Sequence, residues 1–271
     1  MRGRGTLRLA RGAAAAVGGT AVTVARQRAT LARRDHRAEP LPDGPWLNAQ
    51  TWTNLLFAHW RVPPERMAPL IPDGLELDTY DGSAWVAIAP FALSGLRARL
   101  TPPLPPFSRF LETNIRTYVI HDGRPGVLFF RLLATSRTAV VSARALYHLP
   151  YVHATGTMAS HGGTVTYAIE ARGESPAARL FAEYRGNGEP RVAEPGSLEH
   201  FLVERYCLYT RTGDRLLRAD IHHPPWKLQP GEGRIEQTAM LPVELGTPEG
   251  EPLLHVAGRQ DVLVWRPVRC V

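Results

Sequence analysis

Glu112-Thr113-Asn114-Ile115-Arg116-Thr117-Tyr118-Val119-Ile120 is the stretch on which the fold turns. β-Branched and aromatic residues dominate it, and strand side chains alternate between two faces. Ile115, Thr117 and Val119 fall on one face, and Arg116 and Tyr118 on the other. The spacing predicts a strand over Asn114–Ile120 with one oily side. Followed back, the same period adds Glu112 and Asn114 to the polar file. An acid, an amide, a guanidinium and a phenol in line have two readings. They face solvent and make ordinary cross-strand pairs, or they face into a barrel and form a site where Arg116 could hold a carboxylate bidentately.

Strand character recurs on both sides, over Leu55–Val62, Ala84–Phe91, Val127–Leu133, Thr164–Ala171, Leu180–Tyr184, Leu216–His222 and Asp261–Trp265. Turn signals separate these runs: Pro72-Asp73-Gly74, Asp81-Gly82, Asp122-Gly123, His161-Gly162-Gly163, Gly186-Asn187-Gly188 and Thr212-Gly213-Asp214. Three short helices interrupt them. One starts at Pro63-Pro64 and runs to Leu70, with proline in its tolerant first turn. A second covers Thr138–Tyr147 and stops before Pro150. A third is capped by Ser197 and presents Leu198, Phe201 and Leu202 on one face. The order implies a mostly-β, α+β chain with a curved or closed sheet. Isolated glycine pairs such as Gly231 and Gly233 read as turns.

Composition narrows the function. The chain has 271 residues, 44% hydrophobic, with 32 Lys+Arg against 25 Asp+Glu. Nine arginines and two acids fall in residues 1–40, so the net +7 belongs there and the rest is formally neutral. A neutral body carries no electrostatic footprint for nucleic acid. Residues 1–40 therefore read as an Arg-rich tail, disordered or partly helical, and residues 41–271 as a single domain. Within the tail, the uncharged run 12–25 falls short of the roughly 20 apolar residues of a spanning helix, so stable membrane insertion is not expected. Its arginine-led, small-residue pattern leaves export or peripheral attachment as the alternative to a cytoplasmic location. Two cysteines, Cys207 and Cys270, suit unpaired thiols in a reducing compartment.

No nucleophile elbow, P-loop, zinc-protease or complete dinucleotide motif occurs. His148 and His153 are spaced across a proline, and His222 and His223 point to opposite faces if they lie on a strand. Neither pair suits a shared metal, and no metal site or cofactor is expected.

Several segments taken in order resemble the YqjF-like family. They are Leu56-Phe57-Ala58-His59-Trp60, the run from Ile71 to Asp78, Asp81-Gly82-Ser83-Ala84-Trp85-Val86, Asn114–Val119, Ala143–Tyr151, Ser197–Tyr206, Ile221–Trp226 and Asp261–Trp265. That family is a domain of unknown function placed near acetoacetate decarboxylase. The resemblance runs from about Trp46 to Val268. It implies a cone-shaped antiparallel β-barrel with a few short helices and an internal pocket, and it implies no established activity.

Against the decarboxylase signature, Arg144 matches the arginine and Pro150 the proline. Ala145 stands where the glutamate would be, Tyr151 where the Schiff-base lysine would be, and Val152 where its neighbouring lysine would be. Glu112 or Asn114 falls near the glutamate of the preceding strand. A phenol cannot form an imine, and Lys227, the only lysine, stands far along the chain. The resemblance thus implies a small-molecule pocket protein without Schiff-base chemistry, binding an organic acid or a phenolic or other aromatic compound. Its ligand-binding candidates are Glu112, Asn114, Arg116, Tyr118, Arg144, His148 and Tyr151. The alternatives are a lysine-independent lyase or hydratase using Arg116, Glu112 and Tyr151, and a ligand-free structural or partner-binding barrel. Homo-oligomerisation stays open.

Overall fold

The computed structural model describes residues 19–104 and 107–270. Helix α1 covers residues 19–29. Strands follow as β1 (Asn48–Val62), β2 (Glu76–Leu77), β3 (Ala84–Ala98), β4 (Phe110–His121) and β5 (Arg124–Ala134), with α2 (Pro64–Met67) after β1. Next come α3 (Arg137–Tyr147), β6 (Tyr151–His161), β7 (Thr164–Ala171), β8 (Arg179–Gly186), β9 (Arg191–Val192) and α4 (Leu198–Val203). The chain ends with β10 (Cys207–Thr212), β11 (Arg215–His222), β12 (Lys227–Thr238), β13 (Leu253–Val264) and β14 (Val268–Arg269).

The predicted strands are present, mostly longer than expected. Their pairing forms a circuit: β13, β1, β3, β4 and β5 lie side by side, β6–β7–β8 continue from β5, and β12 joins β8 back to β13. On the other side, β10 pairs β5 and β11 pairs both β10 and β13. The shared wall β13–β1–β3–β4–β5 therefore has an apolar core on each face. One core holds Leu56, Ala58, Trp60, Val86, Ile88, Ile115, Tyr167 and Leu180. The other holds Phe57, Trp85, Phe91, Leu93, Tyr118, Leu132, Leu208, Ile221 and Val264. The polar file of β4 thus does not look out to water; both faces of the strand are buried, as in any sheet covered on both sides.

Local chemistry explains the turns and caps. Asp122 and Gly123 both take positive φ, 47° and 71°, the backbone of a tight hairpin between β4 and β5. Ser136 and Ser197 cap α3 and α4 by accepting from the amides of Ala139 and His200. Helix α4 ends at Val203.

Six strands were not anticipated: the two-residue β2, β9 and β14, and the longer Tyr151–His161, Cys207–Thr212 and Lys227–Thr238. The last corrects the reading of Gly231 and Gly233 as turns. Both lie inside β12 where it passes from β13 to β8. A Cβ on Gly233 would stand 2.0 Å from the carbonyl oxygen of Glu183, so only glycine permits that approach.

Of the segment read as a tail, residues 19–40 are described, with helix over 19–29 and a 3-10 turn over Thr30–Ala32. Residues 1–18, with Arg2, Arg4, Arg8, Arg11 and the start of the uncharged run, lie outside the described residues. From residue 19 the chain packs against the strands. Gln27 is fully buried, donates to Thr51 Oγ1 and Gly95 O, and accepts from Arg97 Nε at 2.7 Å. Arg26 pairs with Asp261, and Leu31 packs beside Trp46 and Trp265. His36 and Arg37 bond the backbone carbonyls of His223 and Ile221. No break in packing falls at residue 40. Among the described residues no helix is long and apolar enough to cross a membrane.

Candidate functional site

Between the shared wall, β10–β11 and α3 lies a cavity of about 450 Å³. Its walls are largely apolar, with Leu93, Phe110, Phe129, Leu132, Leu208, Ile221 and Val264 among the lining residues. Three of the predicted residues line it: Glu112, Asn114 and Tyr151. The pairing explains how they meet. Glu112 lies opposite Ala134 of β5, and β6 runs parallel to β5 with Tyr151 opposite Leu132. The Tyr151 hydroxyl donates to Glu112 Oε2 at 3.1 Å. The backbone of Glu112 is held by Tyr167, whose hydroxyl donates to its carbonyl oxygen at 3.1 Å.

Glu112 is 5% exposed and, among the described residues, has no cation within ion-pair distance. Burial pushes its carboxyl up to about 8, against a small opposing effect of the Tyr151 hydrogen bond. Burial, reinforced by the neighbouring carboxyl, also raises the Tyr151 phenol well above its ordinary value. Both groups keep their protons at neutral pH. Tyr151 supplies one hydrogen bond to the carboxyl, and the proton of Glu112 is free for another acceptor. The Oδ1 of Asn114, also buried, has no partner among the described residues. An uncharged donor and an open acceptor therefore share one apolar chamber.

A second polar row was missed. Asn48, Gln50 and Trp52 on β1 line the same cavity. Trp52 Nε1 donates to Gln50 Oε1, Gln50 Nε2 to Asn48 Oδ1, and Asn48 Nδ2 to the Tyr147 hydroxyl at 2.7 Å. The alternation Asn48-x-Gln50-x-Trp52 was visible in the sequence. It was lost because the strand was expected to start at Leu55, and because Asn54, at φ 52°, sits in an irregularity that exchanges the faces of β1.

The remaining candidates are elsewhere. Arg116 is buried, 8% exposed, but neither it nor Tyr118 lines the cavity. At about 3.3 Å per residue, Arg116 stands about 13 Å along β4 from Glu112, too far for an ion pair. Glu112 is engaged by Tyr151, and Glu204 after α4 by the Tyr206 hydroxyl and the amide of Trp226. Arg116 instead rests over the Phe57 and Tyr118 rings and makes a long bond, 3.4 Å, to the Leu202 carbonyl. Tyr118 bonds His59 at 2.8 Å. Arg144 and His148 are exposed. Arg144 holds the carbonyl of Tyr151, and His148 caps α3 in a left-handed conformation. These two shape the β6 entry and do not face the chamber.

The mostly-β fold resembles that of acetoacetate-decarboxylase-like proteins. An acetoacetate decarboxylase-like enzyme from Sphingomonas wittichii RW1 superposes with a TM-score of 0.60 at 16% identity, over 87% of this chain and 97% of that one. Acetoacetate decarboxylase from Legionella pneumophila gives 0.58 at 12% identity, over 86% and 93%. The chain itself belongs to DUF2071, a family of uncharacterized conserved proteins, whose pattern matches residues 49–261. The uncharacterized protein YqjF of Bacillus subtilis (strain 168) is 44% identical over 230 residues, 84% of this chain and 94% of its own length.

Lys227 does not line the chamber and stands exposed on β12 beside Pro225 and Gln229, in a groove on the other side of β13. Incubation with acetoacetate and borohydride should therefore leave the mass of the protein unchanged. A reduced adduct on Lys227 would contradict this.

Proposed function

We propose that the closed sheet is a cone-shaped β-barrel whose internal pocket binds a small, largely apolar aromatic or phenolic compound carrying a hydrogen-bonding oxygen. The observation that carries this reading is the Glu112–Tyr151 pair, which is protonated at neutral pH and set in an apolar chamber. A neutral carbonyl or phenol oxygen suits the Glu112 proton, and a phenol O–H suits Asn114 Oδ1. An organic acid fits less well. Arg97 is the only cation among the described lining residues, and it is engaged by Gln27 and by the carbonyls of Ala98 and Arg99. A chamber of about 450 Å³ also weighs against a barrel filled by its own side chains.

A lysine-independent lyase or hydratase is the second reading. A carboxyl near 8 is a competent general acid at neutral pH, and Tyr151 orients it. Arg116 has no place in that step, since it stands about 13 Å along the strand.

Thermal-shift and calorimetric titrations with phenols, aromatic ketones and benzoates test both readings. Neutral aromatics should stabilise the fold, by about 2.7 kcal/mol at a hundredfold excess over Kd, and benzoates should not. Leu208→Trp, which fills the chamber, should abolish the shift while preserving the circular dichroism of the fold. Glu112→Gln should keep binding under the first reading and abolish turnover of a bound compound under the second. Stabilisation undiminished in Leu208→Trp would place the ligand elsewhere.

A further inference from the structure

The mouth of the chamber is unusual for a water-facing surface. Leu104, Phe107 and Leu146 line the cavity and are 60%, 56% and 55% exposed. Leu100, on the same β3–β4 loop, is 87% exposed. Large side chains gathered at one opening mark an interaction face.

The charge around them has one sign. Residues 95–111 contain Arg97, Arg99 and Arg109 and no acid. Arg99 and Arg109 are exposed and make no ion pair among the described residues. Helix α1 adds Arg28, also exposed, close enough to Arg97 to disfavour the Arg97 charge.

We propose that this rim is a docking face for an anionic lipid surface, with Leu100, Leu104 and Phe107 entering the headgroup region while the arginines meet the lipid phosphates. The two features select this partner together. A second copy of the same face would set arginine against arginine. A nucleic acid would satisfy the arginines but would offer no apolar phase to the leucines and phenylalanine. An anionic bilayer supplies both negative charge and an apolar boundary, and attraction to it adds per cation and per buried apolar group. Docked this way, the chamber opens onto the lipid, so an apolar compound passes between bilayer and pocket without crossing water. The docking itself does not depend on what the chamber holds.

Co-sedimentation of the full chain with phosphatidylglycerol/phosphatidylcholine vesicles, against pure phosphatidylcholine, tests it. The partition coefficient should be at least about tenfold higher on the anionic vesicles and should fall steeply with added salt. The double substitution Leu104→Ser and Phe107→Ser should lower it about tenfold with an unchanged unfolding midpoint, since these side chains are exposed. Arg99→Glu with Arg109→Glu should do the same. Three results would overturn the proposal. One is no preference for anionic vesicles. Another is full binding by the Ser variant, which would assign the affinity to the arginines of residues 1–18. The last is a concentration-dependent dimer that the Ser variant abolishes, which would assign the face to a second copy.

Discussion

Replacing Glu112 by glutamine is expected to make the protein several kcal/mol more stable at pH 9 and to change it by less than about 1 kcal/mol at pH 5. The carboxyl is raised to about 8 by burial, while in the unfolded chain it ionises near its ordinary value. Between these two values the folded protein holds a proton that the unfolded chain has released. Stability from this group is therefore complete below about 4.5 and declines by about 1.4 kcal/mol per pH unit until the folded group ionises near 8. Glutamine has the same shape, accepts the Tyr151 hydroxyl through Oε1 and carries no charge, so its contribution has no such slope. The buried histidines slope the other way. Burial lowers His222 and His223 to about 4, so their contribution is present above the ordinary histidine range and is lost on acidification. They are common to both proteins and cancel in the difference. Urea unfolding of the two proteins from pH 5 to 9 measures it. Parallel curves would mean that Glu112 ionises as an exposed carboxyl does, and the neutral-pocket reading would lose its foundation. Binding of a neutral aromatic should weaken above pH 8 in the wild type and hold in Glu112→Gln.

The same residue shows how far local pattern reaches. Glu112 and Asn114 were legible because period-two alternation depends only on the strand backbone. Tyr151 is a candidate only through the family resemblance, since its strand, Tyr-Val-His-Ala-Thr-Gly-Thr-Met-Ala-Ser-His, has little β-propensity of its own. What alternation cannot report is distance. Four alternate residues from Glu112 to Tyr118 share a face but span about 20 Å, longer than one small-molecule contact, so Arg116 and Tyr118 end beneath α4 beside Leu202 and Phe201. Nor can it report what covers a face. The opposite side of β4 reads as oily and the file as polar, yet both are buried, because β6–β8 cover one and β10–β11 the other through pairings distant in sequence. Charge counting failed in a similar way at the N-terminus. Arg26 looked like one more tail cation, but its partner Asp261 is supplied from the far end of the chain.

A chain begun at Pro42 is accordingly expected to lose on the order of 5 kcal/mol of stability, comparable to the total for a marginal domain. The deletion removes Gln27, the acceptor for Arg97 Nε and a donor to Thr51 and Gly95. It removes Arg26 from Asp261, leaving that carboxylate with the Thr51 hydroxyl at 2.6 Å. It also takes Thr30 O from His222 Nε2 and uncovers the Trp46–Trp265 cluster on which Leu31 packs. Each polar group stripped of its partner costs about 1–3 kcal/mol where water does not replace the bond, and a buried charge left alone costs more. Water does reach part of this surface once the segment is gone, which keeps the total below the sum of those losses. Chemical unfolding of the shortened and full chains measures the difference, and Gln27→Ala in the full chain should account for about 1–3 kcal/mol of it. Coincident unfolding curves would show that residues 19–40 merely lie on the sheet. A large loss would make them part of the cover over Arg97, and so part of the wall of the chamber, because Arg97 lines it and Gln27 holds its guanidinium in place.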